Sequence, residues 1–173
     1  MKLPTTTKIV LLKGRFRGMK KRQLFLILRA FSKRHSEIYH IHTVIKCLDF
    51  VKYINEVLKF HGYEFLLTLF TMDRTIKKLD NHLSSFFETL YLSSAILIHK
   101  FTQDSPYNDK EILKTLRDDS NLAIKKETIE MMNENQMKVL DALDWSLHDV
   151  LYQKKFHDFC KDVYLSNSFS PMI

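Results

Sequence analysis

Between Asn81 and Asp104 the chain carries apolar residues on nearly every side of a helical wheel. Leu83, Phe86, Phe87, Leu90, Tyr91, Leu92, Ala95, Ile96, Leu97 and Ile98 leave no broad polar face. A helix of that kind is either surrounded by protein or crosses a bilayer. The unbroken apolar run is shorter than a membrane span needs, and Asn81, His82 and Glu88 lie inside the stretch. The reading is therefore the central helix of a helical bundle. Ser93, Ser94 and Ala95 are small enough to admit a close neighbour, and Lys100 emerges at the C-terminal end, where the helix dipole favours a cation.

The punctuation of the chain agrees with that reading. Only three Gly and three Pro interrupt 173 residues, which argues for long helices, short joints and an all-α domain with a substantial core. Val44, Cys47, Leu48, Val51, Ile54 and Leu58 keep helical spacing from Thr43 to Phe60, and His61-Gly62 is the stop. Tyr63 to about Lys78 forms a second helix. After the central helix, Asp104-Ser-Pro-Tyr-Asn108 has turn chemistry. Asn108 or Asp109 caps a short helix through about Arg117, a fifth helix spans about Lys125 to Ala142, and a last amphipathic one runs from about His148 to Tyr164.

Charge is unevenly spread. The formal net charge is +7, yet the first 36 residues hold eleven Lys and Arg and no acid. The remaining 137 hold 16 basic and 20 acidic residues, so a mildly acidic body carries a basic arm. Arg15, Arg17, Lys20, Lys21 and Arg22 form the densest part of that arm, and Leu24 to Phe31 is a short helix or docking segment. The arm suits an import receptor, nucleic acid or acidic lipid, or a mitochondrial presequence, and a solvated tail with no specific partner is the plain alternative. Division falls at residues 1–40 (arm), 41–165 (body) and 166–173 (tail). The widely spaced Cys47 and Cys160 read as reduced and buried, which favours an intracellular protein of nucleus or cytoplasm, with mitochondria a further option.

Catalytic chemistry is hard to find. The chain has no Gly-rich phosphate loop, no GxSxG, no HExxH and no paired CxxC. His35, His40 and His42 have no further ligand at useful spacing, so no metal is expected. His157, Asp158 and Cys160 do not make a nucleophile with an oriented base. Asp141 and Asp144 read as solvated charges. Neither an enzyme nor a cofactor is expected.

Four motifs in order do point somewhere: Met72-Asp73-Arg74, then His99-Lys100-Phe101-Thr102-Gln103-Asp104, then Ser105-Pro106-Tyr107-Asn108. The fourth is Asn133-x-x-Gln136-x-x-Val139-Leu140-x-x-Leu143-Asp144-Trp145-Ser146-Leu147. Together they resemble the cyclin box, most closely its phosphate-pathway (P-type) branch, over roughly Thr43 to Tyr164. The resemblance implies a single five-helix cyclin box with an extra C-terminal helix. It also implies a regulatory subunit that binds and activates a cyclin-dependent protein kinase. In that family a lysine ending the third helix and a glutamate on the fifth hold the kinase backbone. Lys100 matches the lysine, whereas Gln136 stands at the glutamate position and is open to a second reading as a buried, satisfied amide. Lys100 has a second reading as a helix-end charge. Asp104 and Asn108 lie in the loop that sits near the kinase in the P-type branch, and also suit turn and cap roles. Asp73 and Arg74 read as intramolecular packing groups. The alternative function is a cyclin-fold scaffold, or a nucleic-acid binder through its arm, without kinase activation.

Overall fold

The structure is a computed structural model that describes residues 19–79, 86–118, 129–147 and 150–165. Among them are eight α-helices and no strand, so the all-α expectation holds. In chain order these are α1 (Lys21–Arg34), α2 (Ile41–Lys46), α3 (Leu48–Val57) and α4 (Gly62–Thr75). They are followed by α5 (Phe87–Thr102), α6 (Asp109–Asp118), α7 (Ile129–Ala142) and α8 (Val150–Cys160), which runs into a π-helical turn, Lys161–Leu165.

The apolar stretch is the centre of the bundle. Every residue of α5 from Leu90 to His99 is buried, and α5 packs against α3, α4 and α7. It starts later than its sequence suggests. Phe86 is the extended cap residue before it, and residues 80–85 lie outside the described ones. Its chief partner, α4, is buried on most sides although it contains three threonines. The Thr68, Thr71 and Thr75 hydroxyls donate to the carbonyls of Glu64, Leu67 and Thr71 at 2.8, 2.8 and 2.9 Å. Each polar side chain is thus satisfied within its own helix and can face the core.

Two boundaries differ from the sequence reading. The helix expected from Thr43 to Phe60 is broken at Cys47, whose N–H bonds to the Val44 carbonyl at 3.1 Å in a tighter turn. Gly62 opens α4 instead of closing the preceding helix. The stop is Lys59, in the left-handed region at φ 56°, with the Phe60 N–H reaching back to the Asn55 carbonyl at 2.8 Å. That is a Schellman closure made without glycine. Glu64 then caps α4, its carboxylate accepting from the His61 N–H at 2.8 Å.

Residues 21–40, counted with the arm in the sequence, pack as part of the body. Leu24, Ile27, Leu28 and Phe31 share one face of α1 and join the same core as α5. Phe31 meets Tyr39, Phe87 and Phe159 at centroid separations of 6.4, 6.1 and 6.4 Å. Phe87 also takes Tyr39 edge-on at 5.3 Å and stacks on Tyr91 at 6.1 Å. Phe87→Ala is therefore expected to destabilise the fold by about 3–5 kcal/mol, read as a lowered denaturant midpoint.

A polar clasp closes over this aromatic cluster. Arg34 Nε and one terminal nitrogen donate to the two Asp73 oxygens at 3.1 Å each, and the other terminal nitrogen pairs with Asp162. His35 Nε2 lies 2.7 Å from Asp73 Oδ1, and the Arg34 guanidinium sits 5.2 Å above the Phe159 ring. Burial works to raise the Asp73 pKa, but hydrogen bonds from His35 and Arg34 outweigh it and hold the carboxyl below its usual value. Asp73 is thus an intramolecular packing group, as its sequence setting suggested. Cys47 and Cys160 are both free and buried. Burial, with Glu88 nearby, pushes the Cys47 thiol up to about 12, and burial likewise raises that of Cys160, so both stay protonated and unreactive.

Candidate functional site

Lys100 and Gln136 are 36 residues apart and meet. Lys100 leaves the last turn of α5, and its ammonium donates to Gln136 Oε1 at 2.8 Å. A third residue joins them: Asp109, first in α6, places Oδ1 2.7 Å from Lys100 Nζ. Gln136 Nε2 donates to Asp109 Oδ1 at 3.3 Å and to the Met132 carbonyl at 3.2 Å. Gln136 is only 4% exposed, and both ends of its amide are bonded inside the bundle. Its role is to hold Lys100, not to present itself. Lys100 keeps a 35% exposed side chain. An ammonium has three N–H groups, and two are committed here, so one is left for a further acceptor.

Sequence reasoning missed Asp109 because only the fold brings it to Lys100. It supplies, from a different helix, a carboxylate to both Lys100 and Gln136. Its neighbour Asn108 is the cap that puts it there. Asn108 Oδ1 accepts from the Glu111 N–H at 2.8 Å, and the Glu111 carboxylate accepts from the Asn108 N–H at 3.1 Å. This reciprocal box fixes the first turn of α6. Asp104 is exposed in the bend before it and does not join Lys100.

Beside Lys100 lies a shallow groove of about 620 Å3 lined by Leu97, Phe101, Leu140, Trp145, Ser146 and Leu147. Phe101 is 42% exposed and Trp145 is 58% exposed. The indole is held outward by backbone and side chain together. Asp144 and Trp145 both adopt left-handed backbone, at φ 52° and 59°, and the Trp145 N–H closes α7 by bonding to the Leu140 carbonyl at 2.9 Å. A tryptophan in that region costs about 1–3 kcal/mol and persists only where its surroundings fix it. Two contacts fix it here. Trp145 Nε1 donates to Asp141 Oδ1 at 2.9 Å, and an Arg74 terminal nitrogen donates to the Ser146 carbonyl at 2.9 Å.

His99, next to Lys100 in sequence, ties the end of α5 to the loop before α6. It is buried, its Nε2 accepts from the Tyr107 N–H at 2.9 Å, and its ring stacks on Tyr107 at 5.3 Å. Burial and then the neighbouring Lys100 charge lower its pKa, while the Leu58 backbone acts in the opposite sense. The unfolded chain then binds the extra proton first. Stability is full above the ordinary value of 6.5 and declines as pH falls through the folded value. His99→Gln is expected to flatten that decline, measured as unfolding midpoints across the acidic range.

Of the basic arm, Arg15 and Arg17 lie outside the described residues, as does the tail from 166. Lys20 precedes α1, Lys21 pairs with Asp49 at 3.0 Å on the surface, and Arg22 is exposed. His40 and His42 stack on one another at 4.9 Å, and no cluster of three or more metal-ligating residues occurs among the described residues. None of the described helices is long and apolar enough to cross a membrane.

No protein-family model, curated protein or solved structure matches the chain.

Proposed function

We propose that the chain is a regulatory subunit of the P-type cyclin kind, docking on a cyclin-dependent protein kinase through the groove beside Lys100. The observation that carries this reading is the meeting of Lys100 and Gln136 at 2.8 Å on the lip of an apolar groove. The resemblance sets these two distant positions side by side, and composition alone gives no reason for them to be so.

The chemistry of the pairing follows from the parts. An amphipathic helix of the kinase lays its apolar side chains against Phe101, Leu140, Trp145 and Leu147. The free N–H of Lys100 donates to a backbone carbonyl at that helix's C-terminal end, where the helix dipole favours a cation. Asp109 and Gln136 keep the ammonium in place, so little side-chain freedom is lost on binding. The subunit does no chemistry itself. It moves the kinase's regulatory helix to the position that aligns the kinase's own catalytic groups.

The experiment is co-purification of the full chain with a kinase, followed by titration of that kinase against Lys100→Ala. Binding is expected to weaken about tenfold to a hundredfold. Unchanged affinity removes the proposed contact. A full chain that captures nucleic acid in place of a kinase, with binding that falls steeply in salt, supports the scaffold reading instead.

A further inference from the structure

Helix α1 turns two different sides to its surroundings. Leu24, Ile27, Leu28 and Phe31 are buried in the core, and the opposite side carries Arg22, Arg29 and Lys33, all exposed. At about 100° per residue, these three and the partly buried Leu26 fall within about 60° of one another on the helical wheel. They form a straight row about 16 Å long. Arg29 and Lys33 enter no ion pair among the described residues.

Helix electrostatics accounts for only part of this charge. The carbonyl end of α1 favours Lys33 and Arg34, and Arg34 is held in the clasp with Asp73 and Asp162. The opposite end should repel cations and attract acids. No acid lies in the first turn of α1, and Lys20, Lys21 and Arg22 gather there instead. The same one-sided charge runs through the chain before the helix. Lys13, Arg15 and Arg17 precede it, and the first acid of the whole sequence is Glu37. Cations set against a helix dipole, continuous with an acid-free segment, match a polyanion outside the molecule.

We propose that the outward face of α1, with the basic segment before it, binds the phosphate backbone of double-stranded DNA without reading its sequence. A membrane-surface helix inserts its apolar side, and that of α1 is committed to the core. Single strands are held by stacking on aromatic rings. The exposed phenyl and indole rings among the described residues, Phe86, Phe101 and Trp145, lie on other elements. The major groove of B-form DNA admits a helix, whereas that of A-form RNA is too deep and narrow. Arg22, Arg29 and Lys33 meet phosphates along that groove, and the counterions released favour association. None of the three lines the groove beside Lys100, so this inference is independent of the kinase reading and survives its failure.

Fluorescence anisotropy of a labelled short DNA duplex, titrated with the full chain at several salt concentrations, tests it. Binding is expected to fall steeply as salt rises and to be alike for duplexes of unrelated sequence. Arg29→Ala combined with Lys33→Ala is expected to weaken it at least about tenfold. The slope of log affinity against log salt should become shallower by about 2, near one counterion for each lost contact. A control of equal charge loss on α6, Lys110→Ala with Lys114→Ala, is expected to change the slope far less. All four side chains are exposed, so both variants keep the fold, as circular dichroism will check. Absence of duplex binding, equal effects of the two folded variants, or tighter binding to phosphatidylserine vesicles, a single strand or an RNA duplex overturns the proposal.

Discussion

Lys100→Ala is expected to separate partner binding from folding more sharply than any other single change. It removes the only exposed cation of the Lys100–Asp109–Gln136 triad and leaves the groove residues untouched. Partner affinity should fall about tenfold to a hundredfold, the range of one lost charge-assisted hydrogen bond. Folding should suffer far less. The Asp109 side chain is 11% exposed and Lys100 itself is one-third exposed, so water can reach the vacated space. A stability loss of about 1–2 kcal/mol is expected, from the Asp109 carboxylate left without its cation. Trp145→Ala should cost the partner a comparable factor through lost apolar contact, as a central exposed tryptophan commonly does. It should not disturb the triad, since the indole nitrogen bonds to Asp141.

Asp73→Ala should have the reverse profile. Asp73 holds Arg34 through two bonds at 3.1 Å and His35 through one at 2.7 Å, and these tie α1 to α4. Without the carboxylate, the nearly buried His35 loses its hydrogen-bond partner and Arg34 keeps Asp162 as its ion-pair partner. Breaking a buried charged pair costs about 3–5 kcal/mol, and the one-third exposure of Arg34 reduces that here to about 2–3 kcal/mol. The loss should also depend on pH in a readable way. The Asp73 carboxyl is held below its ordinary value in the fold, so its contribution is present above the unfolded pKa of 3.8 and vanishes as pH falls through the folded value. Wild-type and Asp73→Ala midpoints should therefore converge in strong acid and diverge at neutral pH.

The centre of this fold was legible because burial on all sides leaves a direct mark on composition. Leu90 to His99 can be read as a surrounded helix with no knowledge of what surrounds it. Helix α1 was harder to read for a physical reason. Its outward residues carry the arm's positive charge, which draws attention from the apolar stripe at Leu24, Ile27, Leu28 and Phe31, although that spacing is helical. Gly62 misled because glycine usually closes a helix, whereas Lys59 takes the left-handed position here.

The site was partly legible. Lys100 and Gln136 could be singled out from motif order, and the two prove to be bonded neighbours. The reading of Gln136 as a satisfied amide also describes its bonds, one of which holds Lys100. Asn108 is the cap its residue type suggested. Asp109 could not be chosen from sequence, because an acid at the first helical position is ordinary until a tertiary neighbour makes it special. The outward pose of Trp145 was equally hidden, since nothing in the residues Asp144-Trp145 announces two consecutive left-handed conformations.

The proposed function has this chain dock on a protein kinase through the groove beside Lys100. Affinity purification of the full chain from its native cell tests it directly, run in parallel with a Lys100→Ala, Trp145→Ala double variant of verified fold, with the co-purified proteins identified. A cyclin-dependent kinase is expected bound to the wild-type chain and lost from the variant. No kinase on the wild-type chain, or a kinase retained equally by the folded variant, would contradict it.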